Sequence, residues 1–487
     1  MSNTIVQKIW SFCDTLRDDG LGYNDYLEQL TYLLFLKMAD ENQSKYNLSA
    51  MCQWKSLAAN SGGELQHQYE QILKSLAESG GMLEKIFVGA QNKIHDSAKL
   101  KKLIGLIDAE DWTSTKTDIK GEIYESLLQK NAENSGAGQY FTPRPVIKTM
   151  VECIQPKPEE TISDPSCGTG GFFLGALEYL ERKPLLTNEQ REFIKFETFH
   201  GWEIEKATAR LCLMNLYLHG IGDLEETPDI EVTDSLKRDD NGEVLKEEKV
   251  DIILANPPFG KSSSDVPTID EKQSKKEGYF LRKDFWVTTS NKQLAFLQHI
   301  VTMLKENGRA AVVLPDNVLF EGGAGETIRK ELLQRVNLHT ILRLPTGIFY
   351  AQGVKSNVLF FDNKKASDSP QTKEIWFYDY RTNIHHTPKQ NPLSFEHLKE
   401  FIQCYNLANT QKRKETWSEK NPSGRWRKYT AKEILARDKT NMDIFWLKDD
   451  SLIDLDNLPE PDVLLTEIIE NIEGALENFK TIRESLN

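Results

Sequence analysis

Apolar residues recur along this chain with two periods. In the first third, Tyr26, Leu27, Leu30, Leu33, Leu34 and Met38 fall on one face at helical spacing, and Asp25 with Glu28 offers a capping pair. Ser61-Gly62-Gly63 and Ser79-Gly80-Gly81 punctuate that region, so residues 1–135 are expected to form a helical domain. From 136 to about 400, short apolar runs alternate with helical stretches. The runs are Thr161–Asp164, Phe199–Glu203, Ile230–Leu236, Val250–Ala255, Arg309–Leu314, Thr340–Leu344, Asn357–Phe361 and Glu374–Tyr378. Such alternation predicts an α/β fold with a doubly wound, Rossmann-like mixed sheet. Residues 401–487 make a third region. Beyond Pro459 and Pro461, Leu465, Ile468, Ile472, Ala475, Phe479, Ile482 and Leu486 step by three and four. That is a heptad seam too short to stand alone, so it is expected to pack on its own body or on partner helices.

The ends of the strands carry the chemistry. Val250–Ala255 is closed by Asn256-Pro257-Pro258-Phe259. Two prolines stop a strand because they lack the N–H that would continue the ladder. An amide, a proline carbonyl and an aromatic ring thus meet at a strand's carboxyl end, where open α/β sheets bind ligands. Two oxygen acceptors and a stacking face suit a planar, amino-bearing ring. An exocyclic amine is a poor nucleophile because its lone pair is delocalised into the ring. Accepting both N–H groups on Asn256 and Pro257 favours a pyramidal nitrogen, so position and fixed dipoles carry the rate. An ordinary Asn-Pro turn is the competing interpretation.

A second motif follows the strand ending at Asp164: Pro165-Ser166-Cys167-Gly168-Thr169-Gly170-Gly171, then a helix over Phe173–Leu180. Strand, glycine turn and helix let a ligand approach backbone closely. The leading Asp164 and the absence of a P-loop lysine suit a cationic amino-acid group better than a pyrophosphate. Glu203, ending the next run, could accept both hydroxyls of a ribose. The longer spacing to it is assigned to an extended helical connection over Arg182–Lys195. Asp234 could accept from an adenine amino group, although Asp-Ser is also common turn chemistry.

Together these residues resemble the S-adenosylmethionine-dependent N6-adenine DNA methyltransferases, and most of all the modification subunits of type I restriction-modification systems. Gly138-Gln139-Tyr140-Phe141-Thr142-Pro143-Arg144 looks like that family's cofactor segment, and the order of segment, glycine motif and Asn-Pro-Pro-aromatic is kept. The resemblance implies S-adenosylmethionine bound by Gln139, Tyr140, Phe141, Thr142, Pro143, Arg144, Asp164, Gly168, Thr169, Gly170, Gly171, Glu203 and Asp234, with Asn256, Pro257 and Phe259 holding the target adenine. It also implies double-stranded DNA as substrate and a DNA-specificity subunit joined through the C-terminal helix, with two copies of this chain per specificity subunit. A restriction subunit is a further implied partner. Asp164-Pro165-Ser166-Cys167-Gly168 stands where many relatives have alanines before the glycine, a difference without evident chemical consequence.

Composition narrows the setting. No apolar stretch is long enough for a bilayer and the start lacks the pattern of a secretory signal, so a cytoplasmic protein is expected. The six cysteines show neither metal nor redox spacing and read as reduced thiols, Cys167 serving by its small size. A net charge of -14 excludes uniform coating of nucleic acid and requires local contact. Two candidates are the basic, aromatic stretch Lys412–Tyr429 and the polar stretch Lys261–Lys283, the latter expected to be structureless and mobile without DNA. Glu321-Gly322-Gly323-Ala324-Gly325-Glu326 is expected to be a tight turn opening a helix. Two rival functions are a methyltransferase acting on a protein glutamine or an RNA base, and a catalytically silent DNA-complex scaffold.

Overall fold

The computed structural model describes residues 7, 10, 16, 20–41, 48–109, 124–130, 141–223, 225–237, 248–262, 265–349, 355–387, 391–449 and 465. The heptad seam lies outside the described residues except for Leu465, which is exposed. Gln139 and Tyr140 also lie outside them.

Helices come first: α1 Tyr23–Glu41, α2 Trp54–Ala59, α3 Gly62–Ala77, α4 Gly81–Phe87 and α5 Ser97–Asp108. α3 buries one face with Leu65, Tyr69, Ile72, Leu73 and Leu76, whereas α1 is buried all round from Tyr26 to Leu36. Then follow α6 Arg144–Ile154, β1 Ile162–Asp164, α7 Gly171–Glu181, α8 Asn188–Phe196, β2 Phe199–Trp202, α9 Lys206–Leu218, β3 Asp229–Glu231 and β4 Val250–Ala255. The rest comprises β5 Pro267–Thr268, α10 Glu271–Glu277, β6 Phe280–Leu281, α11 Lys292–Met303, β7 Leu304–Pro315, α12 Asn317–Phe320, α13 Ala324–Arg335, β8 Val336–Leu344, β9 Ser356–Asn363, β10 Glu374–Asp379 and β11 Trp426–Thr430.

These elements form two compact units, one of residues 1–141 with 167–233, the other of residues 142–166 with 234–487. In the first, β2 pairs in parallel with β3. The N-terminal helices close on α9 through a buried ion pair between Glu28 and Arg210. Arg210 also donates to the Val88 carbonyl at 2.7 Å and lies 5.5 Å from the Tyr32 ring centre. Asp25 and Glu28, expected to cap α1, instead share Lys93 at 2.5 and 3.0 Å. That cation lies 68 residues beyond Asp25, so a local capping rule has no sight of it.

In the second unit the strand order is β11-β10-β8-β9-β7-β4-β1. β1, β4 and β7 run parallel, as do β8 and β10, while β9 is antiparallel to both β7 and β8 and β11 is antiparallel to β10. This is the mixed α/β sheet that the alternating pattern predicts. Residues 252–255 of β4 and 310–314 of β7 read as continuous apolar runs because both of their faces are covered.

Several local expectations need correction. The connection after α7 is not one extended helix: Thr187 starts α8 with a capping box completed by Gln190, and the preceding Leu185 turns through positive φ. The third strand stops at Glu231, and Asp234 lies in a turn whose Leu236 N–H it accepts at 3.0 Å. Lys261–Lys283 is not structureless; it contains β5, α10 and β6. Its anchor is Arg282, fully buried, paired with Asp284 at 2.8 Å and donating to the Leu236 carbonyl at 2.9 Å. Phe285 stacks under that guanidinium at 3.9 Å. The lysines dominate the composition there and hide the few buried residues that order it.

The basic, aromatic stretch near the C-terminus is likewise largely structural. Trp426 is buried and stacks on Trp376 with ring centres 5.2 Å apart, and Arg413 is buried against Tyr405. Arg427 covers Trp417 at 3.7 Å. The glycine run before α13 does open that helix, as expected. Its interior is held by buried Arg329, which donates to the carbonyls of Val318, Glu321, Lys439 and Thr440. Burial lowers the Arg329 pKa to about 10, yet it stays charged at neutral pH.

Candidate active site

β4 ends where the prolines require. Ile252, Ile253, Leu254 and Ala255 are buried, and Ala255 pairs with Val312 of β7, which continues to Pro315 beyond the end of β4. Asn256 therefore emerges beside a longer neighbouring strand. Its Nδ2 donates to Thr142 Oγ1 at 3.0 Å. Its Oδ1 is buried and accepts no hydrogen bond from any described residue. A buried acceptor without a donor costs about 1–3 kcal/mol, which a donor from outside the chain would relieve. Ser163 Oγ, Asn215 Oδ1 and Ser356 Oγ are likewise buried without a partner among the described residues, and what sets Asn256 apart is its place at the end of β4. Pro257 is buried and Phe259 half-buried.

Thr142, one of the residues expected to hold the cofactor, has its hydroxyl engaged with Asn256. It is buried just before α6, where Pro143 is the N-cap and Pro145 occupies the first turn. Thr142→Val keeps the shape and removes the hydrogen bond that orients the amide. The turnover number for methyl transfer should fall roughly tenfold to a hundredfold, as one buried hydrogen bond of about 1–3 kcal/mol implies. Cofactor affinity, measured by calorimetry, should stay within about twofold if hydrogen bonding to Asn256 is the main role of Thr142.

Asp164, buried at the end of β1, accepts from the N–H and hydroxyl of Ser166 at 3.0 and 3.3 Å. The Cys167 N–H donates to the Trp202 carbonyl and the Gly170 N–H to the Cys167 carbonyl, at 2.9 and 2.8 Å. Gly168 and Gly170 have φ of +55° and +82°, which glycine adopts at little cost. A side chain at Gly170 would meet Cys212 Sγ at 3.0 Å. Gly171 begins α7, and Thr169 gives its carbonyl to the Nδ2 of buried Asn215 at 2.9 Å.

Glu203 follows β2. One carboxylate oxygen accepts from the Gly168 N–H at 3.1 Å, the other from the Glu205 N–H at 2.8 Å. Burial is the largest influence on this carboxyl and pushes its pKa up, against the lowering effect of those backbone N–H groups. Glu203 thus braces the glycine turn. Sequence spacing does not reveal this brace, nor Asn215. A lone asparagine inside the apolar run Leu213-Met214-Asn215-Leu216 is the one signal that could have drawn attention to α9.

Gly201 in β2 is fixed by packing. A Cβ there would lie 2.8 Å from Ile230 Cδ1 and 3.0 Å from both Cys167 Sγ and Phe173 Cε2. Gly201→Ala is expected to destabilise the protein by about 1–3 kcal/mol, the usual effect of overpacking. Denaturant unfolding of the variant measures it; an unchanged midpoint would show that these side chains yield freely.

The N-6 DNA methylase family model matches residues 115–438, and the HsdM N-terminal domain model matches residues 5–107. This chain belongs to the N-6 DNA methylase family. It is 38% identical to the type I restriction enzyme StySJI methylase subunit of Salmonella typhimurium and to the EcoKI methylase subunit of Escherichia coli K12. Each alignment covers 100% of this chain and 96% of the relative. The crystal structure of the EcoKI M protein matches at 34% identity and a TM-score of 0.55, covering 99% of this chain and 96% of that one. A structure concerned with complex assembly and conformational transition of the type I restriction-modification system matches at 25% identity and a TM-score of 0.72, covering 100% and 99%. The chain is thus a type I methylase subunit, an adenine-specific N6 DNA methyltransferase. No helix among the described residues is long and apolar enough to cross a membrane.

Proposed function

We propose that Asn256, Pro257 and Phe259 hold the target adenine, and that Asp164, Gly168–Gly171, Glu203, Asp234 and the segment Gln139–Arg144 hold S-adenosylmethionine. The observation that carries the reading is Asn256 Oδ1, buried and without a donor among the described residues, at the carboxyl end of a central strand. When bound, S-adenosylmethionine supplies the activated methyl group.

The chain's own residues do the rest. Thr142 engages the Asn256 Nδ2 and so leaves the buried Oδ1 as the oxygen for the ligand's amine. Oδ1 accepts one N–H of the adenine amine and the Pro257 carbonyl accepts the other. The nitrogen lone pair is thereby drawn out of conjugation. The base must leave the duplex to reach these groups, and Phe259 offers a face on which it stacks. On the cofactor side, positive-φ glycines permit close approach of backbone to ligand, which fits a bulky nucleoside. Glu203 provides carboxylate oxygens for ribose hydroxyls while holding the Gly168 N–H.

The chain works within a larger assembly: a DNA-specificity subunit joined through the C-terminal helix, two copies of this chain per specificity subunit, and an associated restriction subunit. The related structure concerned with type I complex assembly supports this reading. It acts on double-stranded DNA in the cytoplasm. Its domains are proposed as residues 1–135, 136–400 and 401–487. Incubating the assembled enzyme with DNA and methyl-labelled S-adenosylmethionine, then digesting to nucleosides, tests the reaction. The label should sit on N6-methyl-2′-deoxyadenosine; label elsewhere, or none, contradicts it.

A further inference from the structure

Immediately after Phe259 the chain turns at Gly260, whose φ is +106°. The peptide groups on either side of that turn are held by the first turn of α11. The Lys292 N–H donates to the Gly260 carbonyl at 2.9 Å. Gln293 reaches the same residue twice, its NH2 donating to the Gly260 carbonyl and its oxygen accepting from the Gly260 N–H, each at 3.1 Å. A side-chain amide thus pairs with a backbone residue as one peptide group pairs with another. Gln293 is buried, and its NH2 also donates to Asn291 Oδ1.

Asn291 extends the frame. It caps α11 by accepting from the Leu294 N–H at 3.3 Å, and its Nδ2 donates to Glu321 Oε2 at 3.0 Å. The same Glu321 oxygen accepts from Asn317 Nδ2 at 3.0 Å. A second hydrogen bond, from the Ser262 N–H to the Ser290 carbonyl at 2.8 Å, ties down the chain on the far side of the turn. Gly260 is exposed and a Cβ there would meet nothing within 4 Å, so packing does not hold this turn. Its hydrogen bonds do.

We infer that Gln293 is a positioning residue for base capture: by clamping Gly260 it fixes the direction in which Phe259 presents its ring to the extruded adenine. This rests on the proposed role of Phe259. An exposed glycine turn without the clamp would sample several conformations, and the ring would have to be ordered each time a base arrives. The defect on losing Gln293 therefore falls on capture of the flipped base and not on the cofactor.

The test uses the assembled enzyme with two duplexes, one carrying a normal thymine opposite the target adenine and one carrying a mismatch there. A mismatched base costs less to extrude, so it relieves a capture defect. Gln293→Leu should lower kcat/KM on the matched duplex by about tenfold or more, equivalent to ~1.4 kcal/mol. The mismatched duplex should recover most of that loss, and S-adenosylmethionine affinity should be unchanged. Gln293→Met keeps the length of the side chain and loses both hydrogen bonds to Gly260, so it should show the same mismatch-dependent rescue. It serves where Gln293→Leu does not fold. Equal losses on both duplexes, or wild-type rates for both variants, overturn the inference. Failure of the underlying reading is distinguishable: there, Phe259→Ala would leave matched-duplex methylation at the wild-type rate.

Discussion

Asn256→Ala is expected to lower the rate of methyl transfer about a thousandfold or more while leaving the affinity for S-adenosylmethionine within a factor of about two. The size follows from the geometry. A fixed dipole aimed at the reacting group is worth about two to three orders of magnitude when removed, and here the same oxygen also positions the amine. The sparing of the cofactor follows because Asn256 bonds only to Thr142 among the described residues, and its other atom is the buried oxygen. Asn256→Asp is the sharper variant. It keeps an oxygen at Oδ1, and the Thr142 hydroxyl can turn to donate to the other oxygen, but a buried carboxylate carries a desolvation cost that the amide does not. Its rate should also fall, by less than that of alanine. Single-turnover methylation with saturating DNA, beside calorimetric titration of cofactor, measures both. Parallel loss of turnover and cofactor binding in a folded Asn256→Ala protein would show that the amide belongs to the cofactor's site.

Glu203→Gln should weaken S-adenosylmethionine binding by roughly tenfold to a hundredfold, the range for a hydrogen bond to a charged acceptor of about 1.5–3 kcal/mol. In the ligand-free protein the same change removes a buried charge but turns an NH2 toward the Gly168 or the Glu205 N–H, so two effects on stability oppose one another. Burial raises the Glu203 pKa, so the folded chain holds its proton more tightly than the unfolded chain does. The ionised form therefore opposes folding above the raised pKa, and that penalty disappears as pH falls below the unfolded value of about 4.3. Cofactor binding has the opposite sign, since ribose hydroxyls are best accepted by the ionised carboxylate. Wild-type affinity should fall on acidification through the raised pKa, while the Glu203→Gln variant, already neutral, should be flat there. Affinities measured across that range, with melting curves of the ligand-free proteins, check both signs. A glutamine variant that binds cofactor as tightly as wild type removes Glu203 from the site.

The contrast between what the chain's pattern discloses and what it hides is physical. Val250–Ala255 is legible to the residue because a buried strand needs an unbroken apolar run and two prolines must end it. The glycine turn is legible because positive φ leaves few other residues possible. Hidden are the long-range partners. Thr142 and Asn256 are 114 residues apart, and no local rule connects them. Gln293 looks like any polar residue in the first turn of a helix until Gly260 is seen beside it. Lysine-rich composition around 261–283 suggests a loop, yet a single buried Arg282 with its Asp284 outweighs many solvated charges in deciding order. Within 412–429 composition does not separate packed cations from exposed ones: Arg413 and Arg427 lie against aromatic rings, while Lys412, Lys414 and Lys428 are exposed.

One buried oxygen receives the target amine, and the rest of the mechanism depends on that contact. A structure of the assembled enzyme on its DNA, with a non-transferring analogue of S-adenosylmethionine, would display it. An extrahelical adenine should be found with N6 about 3 Å from Asn256 Oδ1 and its ring against Phe259. An adenine seated in the protein with N6 directed away from Oδ1, or Oδ1 satisfied by another group in that complex, would refute the mechanism.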